Sequence, residues 1–208
     1  MGRFVGTVCR LCRRSGDKLM LKGDRCFGPK CAAERRAKPP GPHVSQRRRL
    51  SDRAVQLREK QKAKYTYGLF ERQFKRFFTD AEKRTGITGE NLIVLLERRL
   101  DNVVYKLGFA DSRAQARQII LHGHILVNDH KLNIPSYLVN EGDTIQWREG
   151  SKKTEYYKTL VEGIKAKTVA TWLSLNRENI VGQVIALPST DVLEAKFETT
   201  SVVEWYSR

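Results

Sequence analysis

The sequence predicts an α+β protein: a mainly helical part, a small α/β module, and an N-terminal four-cysteine metal knuckle. Three observations carry this. Four cysteines sit at close, paired spacing in the first 31 residues. Apolar residues then recur at helical spacing as far as residue 107. Beyond Ser112 the pattern changes to a capped helix followed by short β-rich runs between turn residues.

The chain has 208 residues, is 40% hydrophobic and carries a formal charge of +16. Residues 1–64 hold 19 Lys and Arg against 5 Asp and Glu, so nearly all of the excess lies in the first third. Such asymmetry predicts a polyanionic partner laid along that segment. A disordered basic tail has the same charge, but regular cysteine spacing argues for structure. No run approaches the roughly 20 apolar residues needed to span a bilayer. The start, Met1-Gly2-Arg3-Phe4-Val5-Gly6, has neither a signal-peptide core nor a myristoylation pattern. A soluble, intracellular protein is expected.

Cys9, Cys12, Cys26 and Cys31 read C-x2-C-x13-C-x4-C. Two close pairs joined by a loop let four thiolates converge on one tetrahedral ion, and zinc suits soft sulfur donors. Neighbouring cations would keep the thiolates ionised. So small and charged a segment cannot bury enough surface to fold alone, so the metal is expected to supply folding energy. An iron–sulfur cluster on the same thiolates, free thiols and two disulfides are the other readings. Arg3, Arg10, Arg13, Arg14, Lys22, Arg25, Lys30, Arg35, Arg36 and Lys38 surround the ligands as candidate phosphate contacts. Pro39-Pro40-Gly41-Pro42 predicts a stiff linker leading to Arg47, Arg48 and Arg49.

Ser51 or Asp52 caps a helix expected over residues 52–64. Arg53, Arg58, Lys60, Lys62 and Lys64 are its predicted exposed cations. Tyr65 and Tyr67 follow as rings that could stack on unpaired bases, or equally as core residues. Phe70, Phe74, Phe77, Phe78 and Ala81 form one apolar stripe, with Arg72 on its polar side, and Gly86 stops that helix. A third helix is predicted from Asn91 to Leu107. Ser112-Arg113-Ala114-Gln115 is a capping box. It starts a helix with Arg113 and Arg117 on one face, ended by Gly123. Ile125–Asn128 reads as a strand, Asp129–Lys131 as a turn, and Leu132–Pro135 as its continuation. Glu141-Gly142-Asp143 is a turn before Thr144–Trp147.

The runs R-R-L-D-N-V-V-Y-K-L-G-F, S-R-A-Q-A-R, H-G-H-I-L-V-N, N-I-P-S-Y and E-G-D-T-I resemble the S-four RNA-binding module. With R-E-K-Q-K-A-K-Y-T-Y-G, E-R-Q-F-K-R-F-F, the cysteines and the ending E-W-Y-S-R, the whole chain resembles bacterial-type small-subunit ribosomal protein four in its cysteine-containing form. The resemblance implies a helical domain interrupted by the module. Its parts would be a knuckle and linker (1–45), the helical domain's first part (46–97), the module (98–160) and a C-terminal segment packing back on the helical domain (161–208). It further implies primary binding to a multi-helix junction in the first-transcribed domain of small-subunit rRNA. Nucleation of subunit-body assembly and a part in translational accuracy follow from it. The implied neighbours are ribosomal proteins five and twelve and the incoming messenger RNA. The implied location is a cytoplasmic ribosome or an organellar one. Ser112, Arg113, Gln115, Ala116, Arg117, Gly123 and Asn128 would face RNA. Two departures stand out. Asn128-Asp129 replaces the family's Asn-Gly, which predicts a longer or strained turn. Residues 183–200 match weakly.

Two other functions have weaker signals. Arg99-Leu100-Asp101 looks like the catalytic R-L-D of pseudouridine synthases, but too little chain follows to build a catalytic domain. A DNA-binding zinc module would need a recognition helix after the ligands, and none is evident. His122, His124 and His130 are read as RNA or solvent contacts rather than as a second metal site.

Overall fold

The computed structural model describes residues 4–36, 38–41, 50–188 and 197–207. Arg3, Arg47, Arg48 and Arg49, and most of residues 183–200 beyond Pro188, lie outside that set. The chain divides into two compact units, one of residues 1–93 with 194–208, the other of residues 94–193.

In the first unit the cysteine segment forms α1 (Cys9–Ser15), a 3-10 turn (Gly23–Cys26) and the short α2 (Ala32–Arg35). Next come α3 (Asp52–Thr66), α4 (Glu71–Glu82) and the start of α5 (Thr88–Glu97). Ser51 caps α3, its Oγ accepting from Ala54 N–H at 3.3 Å. The returning helix α9 (Thr199–Tyr206) packs along α3. Gln56, Lys60 and Ala63 are buried one helical turn apart, which defines the covered stripe. Tyr206 stacks on Phe78 and Phe74, with centroids 4.5 and 6.2 Å away. Phe74, Phe78 and Ala81 are buried, as their spacing predicts, but Phe70 is exposed. Phe70 sits at the extended N-cap of α4, outside the helical repeat.

The second unit contains α6 (Leu100–Lys106), α7 (Arg113–Leu121) and α8 (Glu155–Gly163). Its strands are β1 (Ile125–Val127), β2 (His130–Lys131), β3 (Thr144–Trp147), β4 (Leu173–Asn176) and β5 (Val181–Val184). They form one antiparallel sheet in the order β2-β1-β3-β5-β4. Alternation turns Ile125, Val127, Ile145 and Trp147 inward onto Leu100, Val104, Phe109, Ile119 and Ile120. Gly182 lies where a Cβ would come within 2.4 Å of Leu107 Cδ1, so that crossing needs glycine.

Four sequence expectations are corrected here. The single helix over 91–107 is two helices, because Arg99 is extended and bridges Leu138, while Leu100 N–H donates to Tyr137 carbonyl at 2.8 Å. Non-local pairing outweighs helical periodicity there. The hairpin turn is not lengthened: Val127 pairs with His130, leaving two loop residues. Asn128 and Asp129 both take positive φ, 49° and 65°, as a type I′ turn demands. Residues 132–135 do not continue a strand. Finally, residues 161–193 belong to the second unit, where β4 and β5 extend the sheet, and of the described C-terminal residues 197–207 lie in the first.

Candidate RNA interface

Helix α1 presents Cys9 and Cys12 one turn apart and ends at Gly16 in the left-handed region, φ 75°. The chain then turns back over the buried Leu19, bringing in Cys26 and Cys31. Backbone N–H of Lys22 donates to Cys26 Sγ at 3.3 Å. Burial holds the Cys12 thiol above its ordinary value. A backbone hydrogen bond at Leu19 opposes this, while the nearby sulfurs of Cys26, Cys9 and Cys31 reinforce it. All four cysteines are free, so the disulfide reading fails. Among the described residues no group of three or more His, Cys, Asp or Glu side chains is arranged to hold a metal ion. The donor set is nonetheless four soft sulfurs on one small segment.

The same segment gathers cations. Arg10, Arg13, Arg25, Lys30, Arg35 and Arg36 line one concavity of about 270 Å³ beside Cys9. None of the six forms an ion pair among the described residues. Arg13 is fixed by its Nε donating to the carbonyls of Arg36 and Lys38, both at 3.0 Å. Six like charges around one hollow repel one another until an anion enters. Arg10 and Arg14 also line a neighbouring hollow with Phe4, Pro40 and Tyr65. Lys22, Lys38 and, on α4, Arg72 are exposed.

The cations of α3 behave differently from expectation: of the five, only Arg53 is exposed. Arg53 stands 5.5 Å over the Trp205 ring, and Arg58 donates to Ser15 carbonyl at 2.6 Å. Lys60 is buried and pairs with Glu71 at 2.5 Å; Lys64 pairs with the same carboxylate at 3.0 Å. Lys62 pairs with Asp17 and Glu59. Burial would raise the Glu71 carboxyl, but hydrogen bonds from Lys60, Lys64 and Tyr206 outweigh it and bring it down to about 2. Much of the predicted RNA face on α3 is therefore internal fastening. Tyr67 is core, at 5% exposure, while Tyr65 is half-buried beside Lys64.

In the second unit, Ser112 Oγ accepts from Gln115 N–H at 3.3 Å. The reciprocal bond of the capping box is displaced by one residue, Gln115 Oε1 accepting from Asp111 N–H at 2.9 Å. Arg113 is half-buried; its Nε donates to Asn102 Oδ1 at 2.7 Å and its guanidinium lies 4.7 Å over Tyr105. Ala116 and Arg117 are buried, so they do not present an RNA surface. Arg117 meets Asp101 at 3.7 Å, and Asp101 is gripped twice by Arg99, at 2.6 and 3.0 Å. A four-residue repeat put Arg113 and Arg117 on one face correctly, but that face turns inward at Arg117. Gly123 is buried too, with φ 73°. Asn128 stays exposed while its amide locks the turn, with Nδ2 donating to Asp143 and Oδ1 accepting from Thr144 N–H. His122 is exposed and His124 half-buried, its Nδ1 2.8 Å from Ser151 Oγ.

Residues 3–97 match the family described as ribosomal protein S4/S9 N-terminal domain, and residues 98–145 match the S4 domain. A small ribosomal subunit protein uS4 of Dehalococcoides mccartyi is 58% identical over 208 residues, all of both chains. The uS4 of Halothermothrix orenii and the uS4A of Clostridium novyi are each 53% identical over 208 residues, again all of both chains. The chain belongs to the uS4 family of small ribosomal subunit proteins.

Membership of the uS4 family makes the chain a structural ribosomal protein and removes the enzyme reading. Asp101, the residue that looked catalytic, is 3% exposed and held between two arginines. No helix among the described residues is long and apolar enough to cross a membrane. Residue reasoning on this uS4 chain missed the β4–β5 hairpin and the aromatic cluster around Trp147. Gly182 inside a β-branched run was the available signal for the first. Trp147 closing an alternating strand was the signal for the second.

Proposed function

We propose that this chain is a primary rRNA-binding protein of the small subunit. It would seat on a multi-helix junction in the first-transcribed domain of the rRNA and nucleate assembly of the subunit body. The observation that carries this reading is the six-cation hollow formed by α1, the turn at Arg25 and α2. Fixed cations converging from separate elements suit phosphates converging from separate RNA strands. Capture begins with counterion release by the basic N-terminal segment. Shape fit follows, since the narrow major groove of RNA duplexes favours recognition of backbone and 2′-hydroxyls. Arg10, Arg13, Arg14, Lys22, Arg25, Lys30, Arg35, Arg36 and Lys38, with Arg3 and Arg47–Arg49, supply the phosphate contacts. Arg53, Arg72, Tyr65, Ser112, Arg113, Gln115, His122, His124 and Asn128 add further ones from exposed or half-buried positions.

Cys9, Cys12, Cys26 and Cys31 would hold one structural zinc ion, or an iron–sulfur cluster. The ion would supply folding energy to the segment that positions these cations. Ribosomal proteins five and twelve and the incoming messenger are the proposed neighbours, with a contribution to translational accuracy on a cytoplasmic ribosome.

Filter binding of the full chain to the small-subunit rRNA transcript across a salt series tests the reading. Tight binding with a steep salt slope, outcompeting duplex DNA of equal length, is expected. Equal competition by DNA defeats it. Elemental and sulfide analysis of anaerobically purified protein separates one zinc per chain from iron, and neither metal would refute the metal assignment.

A further inference from the structure

A third hollow lies on the module itself, away from the basic segment in sequence. It measures about 290 Å³ and is lined by Gln115, Gln118, Ile119, His122, His124, Trp147, Thr154 and Tyr156. The ring of His124 lies 6.0 Å from His122 and 6.2 Å from Trp147, and Trp147 lies 6.0 Å from Tyr156. Rings therefore wall the hollow. Hydrogen bonding enters from Gln118, whose amide has no partner among the described residues, and from His124, which keeps Nε2 available while Nδ1 meets Ser151 Oγ. Burial, with His122 and Arg148 adding to it, lowers the imidazole's affinity for a proton, so His124 presents a neutral ring at neutral pH. Two cations stand near the histidines: Arg148 is exposed and close enough to act on His124, and Lys131 packs against Gly123, between His122 and His124.

An exposed imidazole face, carboxamide edges and nearby cations on one hollow match a single unstacked nucleotide: base on the ring, base edge on amides, phosphate on the cations. We infer that this hollow receives one extruded base of the bound RNA, read by Gln118 and His124 and stacked on the exposed ring of His122. A purely apolar occupant would offer nothing to the Gln118 amide or to His124 Nε2. The inference rests on the rRNA reading above and deepens it, because the first unit's cations hold backbone whereas this hollow selects a base.

The test is nucleotide-resolution chemical probing of base edges in the small-subunit rRNA transcript, free and bound to full-length protein. Wild type is compared with Gln118→Ala, His122→Ala and His124→Ala, with Glu178→Ala as an exposed control outside the hollow. Gln118 and His122 are exposed, so their variants keep the fold. The expected result is one unpaired nucleotide shielded by wild type and by Glu178→Ala, and reactive again with the hollow variants. Affinity should fall about tenfold for His122→Ala, the scale of one lost stacking partner. If wild type does not bind the transcript, the rRNA reading fails and this one with it. If wild type binds but no nucleotide responds to the hollow variants, the base pocket alone is refuted, as it is if a protein side chain fills the hollow in the assembled subunit.

Discussion

Replacing Asp101 with Asn would remove the charge that two buried arginines share while conserving side-chain volume. The Arg99 and Arg117 side chains are 1% and 6% exposed, and that of Asp101 5%. Arg99 makes two parallel bonds to it, at 3.0 and 2.6 Å, the strong fork geometry of guanidinium and carboxylate. Burial of an ion costs several kcal/mol, which this carboxylate offsets for both cations at once. Breaking such a group by removing one member typically costs about 3–5 kcal/mol, a fifth or more of the roughly 5–15 kcal/mol that stabilises an ordinary domain. Urea unfolding of the RNA-free chain, followed by tryptophan fluorescence, should show Asp101→Asn losing that amount with little change in m. Arg117→Met should cost less, because it removes a buried cation together with its desolvation penalty. A loss below about 1 kcal/mol for Asp101→Asn would refute the structural role given to the triad. So would an Arg117→Met variant of unchanged stability whose rRNA affinity drops tenfold.

Other outcomes follow from the same physics. Glu71 is depressed from its ordinary 4.5 to about 2 in the fold, so its contribution is present above pH 4.5 and vanishes as pH falls towards 2. Its side chain is 47% exposed, which discounts the contribution to about 1 kcal/mol, and Glu71→Gln should flatten that limb of an acid titration of stability. Gly182→Ala should cost about 1–3 kcal/mol in thermal or urea unfolding, since the new methyl meets Leu107 in a filled core. Arg35→Ala with Arg36→Ala should lower the salt slope of rRNA binding by about 2, near 0.9 per lost phosphate contact. Cys12→Ser and Cys26→Ser should each abolish stoichiometric metal in elemental analysis and lower rRNA affinity, whereas metal retention would disprove the proposed ligand set.

Local chemistry in this chain was readable where neighbours in sequence decide the structure. Ser51 and Ser112 cap the helices they precede, and Asn128 with Asp129 turns the hairpin. Phe74, Phe78 and Ala81 face the core because period decides which face is apolar. What escaped was decided by partners far along the chain. Lys60 looked like a surface cation, yet Glu71, Trp205 and Tyr206 draw it inward. Arg117 looked equivalent to Arg113, but it is buried against Asp101 while Arg113 stays half-buried. Helical periodicity ran unbroken through Arg99, where pairing with Leu138 breaks the helix. At the candidate interface, cysteine spacing and charge marked the basic hollow in advance. The aromatic hollow on the module needed Trp147 and Tyr156 to meet in space.

The packing of α9 on α3 has a bearing on how the molecule is made. Gln56 and Glu204, 148 residues apart, bond at 2.6 Å. A nascent chain emerging in order can finish the sheet-bearing half while the opening helices still lack their last strut. Fragments stopped before residue 199 would leave the Gln56–Lys60–Ala63 stripe uncovered and Glu71 short of the Tyr206 hydroxyl. Only product that runs through α9 would thus have a finished platform.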